Sequence, residues 1–197
     1  MSPVERPRIV GDRELEILDA TLGVLADVGY DRLTMDAVAA RAKASKATLY
    51  RRWTNKASLV IDALQHSKGP AEVPDTGTLR GDLQGLFCGM GGLADADTVA
   101  TFASVLTAIT RDADFALGFR EQVLGPKMAA SQQIWERARD RGEVRDDADL
   151  SLFEPALAGI VLHRVFLMGE QPTPELITNV IDQIILPAAT RAPAPTH

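Results

Sequence analysis

The segment 30–64, YDRLTMDAVAARAKASKATLYRRWTNKASLVIDAL, constrains the fold more tightly than any other stretch of the chain. Two short runs of helical periodicity flank a small polar turn. Thr34 stands where a first helix would open and Ser45 where a second would, and both residue types cap helix N-termini. In the second run, an advance of about 100° per residue puts Leu49 and Trp53 on one face. Both favour burial, which turns Ala47 and Arg51 outward with Thr48 and Tyr50 beside them. Lys46 and Arg52 sit nearer the buried edge, within reach of the outer face through their long stems. Six cations (Arg41, Lys43, Lys46, Arg51, Arg52, Lys56) fall between positions 41 and 56, with no carboxylate among them. Short helices that gather positive charge in this way predict a surface for a polyanion.

Whole-chain charge points the other way and has to be divided. The net charge is −6 over 197 residues. Positions 1–68 hold 11 Lys and Arg against 9 Asp and Glu, whereas 69–197 hold 10 against 18. The acidity therefore belongs to the second part. The change coincides with GPAEVPDTG at 69–77, a Pro- and Gly-rich linker.

The rest of the chain reads as helices throughout. Ile17, Leu18, Thr21, Leu22, Leu25 and Val28 form one apolar face of a helix that Gly29 stops. A connecting helix runs over 56–68. Beyond the linker, helices are expected at 79–93, 98–110, 115–124, 126–142, 150–168 and 175–186. Four glycines (Gly85, Gly89, Gly91, Gly92) weaken the first of these, and Pro155 either kinks the fifth or delays its start. No stretch alternates as a half-buried strand does. The expected fold is all-α. An arm (1–11) precedes a three-helix helix-turn-helix domain with its connecting helix (12–68, recognition helix about 46–53). A larger helical domain (78–190) and a tail (191–197) follow. The arm holds Arg6 and Arg8, and is either a loose tail or a minor-groove arm.

A helix–turn–helix of this charge points to duplex DNA. A helix fits the major groove, Arg or Lys can donate to guanine O6 and N7, and the Ala47 methyl can meet that of thymine. Thr34, Ser45, Tyr50 and Lys56 are suitable phosphate partners, which set register without reading sequence. Each residue also has an ordinary explanation: caps, a packing aromatic, a solvated basic face. Their coincidence on one surface favours the DNA reading. The competing reading is a helical module that docks an acidic protein on the same basic surface.

Other classes have little support. Cys88 is the only cysteine, which excludes an intrachain disulfide, and His66, His163 and His197 are the only histidines. With no phosphate loop, HExxH or GxSxG, neither a metal, a cofactor nor an enzyme activity is expected. The N-terminus lacks the basic start and apolar run of a signal peptide, and no apolar run is expected to reach the roughly 18–20 residues that span a bilayer. The expected location is the cytoplasm, without a membrane partner.

The pattern Gly29-Tyr30, Leu33-Thr34-Met35, Val38-Ala39, Ala42, Ser45-Lys46, Thr48-Leu49-Tyr50, Trp53, Lys56 and Leu59 resembles the N-terminal domain of the TetR family of transcriptional regulators. Lys43 stands where that family commonly has a turn glycine, which implies either some strain or a slightly different turn there and offers one more phosphate contact. Leu124-Gly125-Pro126, Arg141-Gly142-Glu143-Val144-Arg145 and the closing GE-x-P at 169–172 are similar to one subgroup's C-terminal domain. The resemblance implies a regulator, most often a repressor. It would bind a pseudo-palindromic operator as a homodimer and be released by a small molecule in its C-terminal core.

Two apolar stripes suit such a dimer. One carries Phe153, Leu157, Ile160, Val161, Val165 and Met168, the other Leu176, Ile177, Val180, Ile181, Ile184 and Ile185. Their width favours a symmetric four-helix interface, and an intrachain core is the alternative. For a small, largely apolar effector, the candidate lining is Phe87, Met90, Phe102, Leu106, Ile109, Phe119, Met128, Trp135, His163 and Phe166, and a filled core is the alternative. Cys88, Thr107 and Gln132 join His163 as the few polar groups available to orient it.

Overall fold

The computed structural model describes residues 10–68, 73–89, 96–171 and 173–190. The arm at 1–9, Met90, Gly91, Gly92, Pro172, the side chain of Cys88 and the tail at 191–197 lie outside the described residues. Among those described, helices account for all regular structure, and the only extended pairing is an isolated bridge between Val144 and Thr190.

The chain forms α1 (Val10–Arg32), α2 (Met35–Arg41), α3 (Lys46–Arg52), α4 (Lys56–Lys68), α5 (Leu79–Gly89) and α6 (Ala96–Arg111). It continues with α7 (Ala113–Gly118), α8 (Gly125–Asp140), α9 (Phe153–Leu162), α10 (Pro174–Val180) and α11 (Leu186–Ala189). Gly29 kinks α1, with φ 75° and ψ 167°, a conformation that L side chains rarely adopt. The kink turns Tyr30 and Leu33 into the core.

Two compact units emerge, and their boundary differs from the one expected at the linker. The first combines Met1–Gly69 with Ala100–Val123, and the second Pro70–Val99 with Leu124–His197. The cause is packing. Val105, Ala108, Phe115 and Val123 belong to the same apolar cluster as Ile17, Leu25, Leu59 and Ile61. Tyr30 is the hub of this unit. Its ring packs against Phe115 at 4.7 Å between centroids, and its hydroxyl donates to Asp112 Oδ2 at 2.6 Å. Asp112 also caps α7 by accepting from the Phe115 N–H at 2.9 Å. Arg111 pairs with Asp31 at 2.7 Å.

In the second unit, Leu79, Leu83 and Leu86 of α5 meet Ile134, Trp135, Leu157, Ile181 and Ile185. Asp82 is fully buried beneath them. Burial pushes its carboxyl up, but the Thr76 N–H (2.6 Å), the Thr76 hydroxyl (2.8 Å) and Arg141 (3.2 Å) together hold it below the usual range. Glu143 completes the arrangement by accepting from the Leu79 N–H at 2.7 Å. Gly142, at φ 75°, makes that placement possible. It ends α8 in a left-handed cap in which the Gly142 and Glu143 N–H groups return to the Arg139 and Ala138 carbonyls.

Three expected helices are divided by the prolines and by wider turns. The run from 150 begins as a 3₁₀ turn (Leu150–Leu152), and α9 starts at Phe153, so Pro155 falls in a first turn where its missing N–H costs nothing. π-helical turns at Phe119–Leu124 and Ile181–Ile185 each end two residues before a proline, Pro126 and Pro187. A proline cannot donate to the carbonyl four residues back and crowds it, and a wider turn relieves that contact. The carbonyl in question before Pro126 is that of Gln122, and the Gln65 side chain donates to it at 2.7 Å. A third π turn, His163–Leu167, ends the α9 run.

The stripes assigned to a dimer are corrected in part. Leu157, Val165, Val180 and Ile181 are buried within the protomer itself, and Ile181 is fully so. Phe153, Ile160, Val161, Leu176 and Ile177 are half-buried against the same core. Of the twelve stripe residues, Met168 (55% exposed) and Ile184 (46%) face outward, joined by Leu152 (62%) and Leu167 (70%). The stripe is wide because it serves the inner core as well.

The 18-residue run Leu150–Leu167, with mean hydropathy 1.5, is long and apolar enough to cross a membrane, contrary to the sequence expectation. Glu154 and Arg164 interrupt its apolar letters, so counting unbroken runs missed it. Leu157 and Val165 within it are buried in the protein, and Arg164 pairs with Glu170 at 2.9 Å, as befits the wall of a packed unit.

Asp112 supplies a test of the first unit. The Tyr30 hydroxyl, then the Phe115 N–H, hold its carboxyl below the usual range. A depressed folded value means that its contribution is complete above the unfolded pKa of about 3.9 and is lost as pH falls through the folded value. Asp112→Asn should therefore destabilise the protein by about 1 kcal/mol at pH 7. Urea unfolding across pH should show the gap to wild type closing below about pH 4; a gap independent of pH would refute the assignment.

Candidate nucleic-acid interface

α2 and α3 are built by their caps. Thr34 is extended (φ −129°, ψ 152°) and its Oγ1 accepts from the Ala37 N–H at 3.1 Å. Ser45 does the same for the Thr48 N–H at 3.1 Å and shares a 2.8 Å hydrogen bond with the Thr48 hydroxyl. Between the helices, the Lys43 N–H returns to the Ala40 carbonyl and the Ala44 N–H to that of Ala39, a left-handed terminating turn centred on Lys43 at φ 50°. Lys43 is the only non-glycine residue at positive φ among those described. Arg13 of α1 donates to its carbonyl and so ties the turn down.

Leu49 and Trp53, 0% and 2% exposed, lie behind α3. The indole N–H of Trp53 donates to Asp62 Oδ2 of α4 at 2.8 Å, which satisfies the one polar atom of the ring. That placement turns Ala47, Tyr50 and Arg51 to solvent, with Thr48 half-buried at the edge. Arg51 has no hydrogen bond or ion pair with the described residues. Lys43 also presents its side chain outward.

The remaining cations are engaged within the protein. Lys46 Nζ bonds Asp36 Oδ2 at 2.7 Å, and that bond raises the lysine's pKa. Arg52 reaches Glu14 at 3.1 Å and lies 6.0 Å from the Trp53 ring centroid. Arg41 pairs with Asp27. The Lys56 ammonium donates to the Tyr30 carbonyl at 2.9 Å and sits 4.3 Å above the Tyr30 ring. Lys56 is thus turned into its own unit, where sequence reasoning had it meeting phosphate. Asp36, Glu14 and Asp27 were missed because they belong to neighbouring helices, outside the basic window in which charge was counted.

A model of the tetR family of bacterial regulatory proteins matches residues 17–63, and one described as the Tetracyclin repressor-like C-terminal domain matches residues 73–184. The chain belongs to the TetR family. It is therefore a DNA-binding transcriptional regulator, and not an enzyme. An HTH-type transcriptional regulator of Mycobacterium bovis is 38% identical over 184 residues, 91% of this chain and 89% of that one. A protein of Mycobacteroides abscessus named as the DNA-binding transcriptional repressor TetR is 34% identical, over 88% of this chain and 92% of its own. The crystal structure of a TetR family transcription regulator, SCO0332, superposes with a TM-score of 0.69 at 26% identity, over 92% of this chain and all of that one.

The residues expected to line an effector cavity divide between the two TetR-family units. Phe102, Leu106, Ile109 and Phe119 are half-buried in the first. In the second, Phe87 and Trp135 line a cavity of about 10 Å³ with Leu83, Ser131, Phe153, Leu157 and Ile185. That volume suits about one water. Phe166 is half-buried, while Met128 and His163 are exposed on the protomer. Phe153 and Leu157, expected at the dimer face, line this cavity instead. Ser131, which the sequence did not single out, lines the same cavity, and its hydroxyl is buried with no hydrogen-bond partner among the described residues. Its i, i+4 relation to the indole at Trp135 was the available signal.

Lys43 carries a strained backbone in exchange for an outward cation. Left-handed geometry costs an L residue roughly 1–2 kcal/mol, which glycine avoids while losing about 0.5–1 kcal/mol in chain entropy. Lys43→Gly should thus raise stability by about 0.5 kcal/mol in urea unfolding, and a loss of stability would show that the turn is not strained.

Proposed function

We propose that this TetR-family chain is a cytoplasmic repressor. It binds a pseudo-palindromic operator as a homodimer, with one α3 in the major groove of each half-site, and leaves DNA when a small, largely apolar ligand enters the second unit. The observation that carries the DNA reading is the outward face of α3. Ala47, Tyr50 and Arg51 are exposed there on a helix whose rotation is set by Leu49 and Trp53. Arg51, unpaired and long, is the candidate base reader. Tyr50, Lys43 and the hydroxyls of Thr34, Ser45 and Thr48 are suited to phosphate, and Lys46 and Arg52 reach the same side when their partners release them. The repressor role is favoured by the name of the Mycobacteroides abscessus relative.

The dimer reading rests on Leu152, Leu167, Met168 and Ile184, large apolar side chains left exposed at the ends of α9 and near α10. A symmetric partner would cover them. The ligand reading rests on the Trp135 cavity, where the unpaired Ser131 hydroxyl would orient one polar group of an otherwise apolar molecule. A ligand larger than water requires the cavity to open, which gives it the differential affinity for two states that release demands.

Selection of duplexes from a random pool tests the DNA reading, and an inverted repeat is the expected product. Arg51→Ala should lose roughly 1–3 kcal/mol at one base pair and relax choice there. Lys56→Ala should lower stability in urea unfolding, because its ammonium bonds the Tyr30 carbonyl and rests on the Tyr30 ring. Enrichment of no sequence would favour the docking module for acidic proteins. For the interface, Ile184→Glu should yield a folded monomer by light scattering, whereas Ile181→Glu places a charge in the protomer core and should unfold it. A dimer that survives Ile184→Glu would refute the face assigned here.

A further inference from the structure

Half of the six cations in the basic segment are paired with the protein's own carboxylates. Asp36 holds Lys46, Glu14 holds Arg52 and Asp27 holds Arg41, each from a different helix from its partner. The Lys46–Asp36 pair is the one at the start of the recognition helix. Its two side chains are 64% and 59% exposed, so the pair stands at the surface that a duplex would approach.

A phosphate and a base edge meet this pair differently. Sequence-independent affinity comes from lysines and arginines replacing the mobile counterions of the duplex. Lys46 arrives with a counterion that is part of the chain. It adds little to that affinity unless Asp36 gives way, and Asp36 itself repels phosphates within a Debye length of about 8–10 Å. Guanine O6 and N7 are neutral acceptors and meet no such repulsion. The ammonium has three donors, of which Asp36 occupies one. The other two remain for a base edge.

We propose that Asp36 is a specificity determinant of this regulator: it masks Lys46 from the phosphate backbone while leaving it able to donate to bases in the major groove. Asp36 acts through Lys46 and so is a positioning residue. The inference rests on the reading of α3 as the groove helix. It extends that reading, because selectivity then comes from suppressed background binding as well as from hydrogen bonds made to operator bases.

The test compares full-length wild type, Asp36→Asn, Lys46→Ala and the double variant on two duplexes, the selected operator and a scrambled sequence of the same composition, across a potassium chloride series. Asp36→Asn should tighten binding to the scrambled duplex several-fold at low salt and steepen its log–log salt slope by about 1 unit per half-site. Operator affinity should rise by less, so the selectivity ratio falls. The gain should vanish in the Lys46→Ala background. Asp36→Ala, with its fold checked by circular dichroism, should repeat the result and exclude an effect of side-chain shape. An unchanged slope on the scrambled duplex overturns the proposal, and so does a gain that persists without Lys46, which would assign the effect to the carboxylate alone. Wild type that does not distinguish the two duplexes would instead overturn the groove-helix reading, a result separable from either.

Discussion

Burial of Leu49 and Trp53 behind α3 sets the rotation of that helix, and the direction of every functional side chain on it follows. Replacing a buried tryptophan with alanine typically costs about 3–5 kcal/mol, far more than any exposed contact on the outer face can contribute. The indole N–H is satisfied by Asp62, so the ring has no polar reason to turn outward. With the inner face held, Ala47, Tyr50 and Arg51 have only solvent in front of them. Caps at Thr34 and Ser45 and the left-handed turn at Lys43 then set where the helix begins.

The same unit uses its long cations unequally. Lys56 bonds the Tyr30 carbonyl and rests on its ring, and Tyr30 in turn binds Asp112 at the start of α7. This chain of contacts, together with Arg111–Asp31 and Gln65–Gln122, places residues 100–123 in one packed unit with the helix-turn-helix. Family models divide the chain near residue 70, as its composition does, but packing does not respect that division. A segment assigned by sequence to the regulatory domain is built into the DNA-binding one.

Local physics was legible wherever one residue or one helical turn decided the outcome. Thr34 and Ser45 declare helix starts through their hydroxyls, and Leu49 and Trp53 declare an inner face by spacing. Lys43, standing where glycine is usual, left a strained turn or a different one, and the structure took the left-handed one. Pro155 left two choices, and the structure took the later start because a first turn has no use for the missing N–H. The π turns before Pro126 and Pro187 were not legible, since the relief they offer depends on carbonyls four residues back and, for Gln122, on a donor from α4. Nor could a stripe of apolar letters on α9 and α10 say which side faces the protomer core. Ile181 and Ile184 look alike in sequence, yet one is 0% and the other 46% exposed.

The sequence by itself determined an all-helical chain, the helix-turn-helix with its inner and outer faces, and membership in the TetR family. The first two follow from periodicity and capping, which act over a few residues, and the third from the residue pattern between Gly29 and Leu59 that resembles the family. Only tertiary structure decided which cations stay free, which helices share a core and which apolar residues remain uncovered. Those depend on pairs such as Lys46 with Asp36, Arg52 with Glu14 and Tyr30 with Asp112. Spacing along the chain does not encode them, because a Coulomb or packing contact between helices depends on distance in space alone.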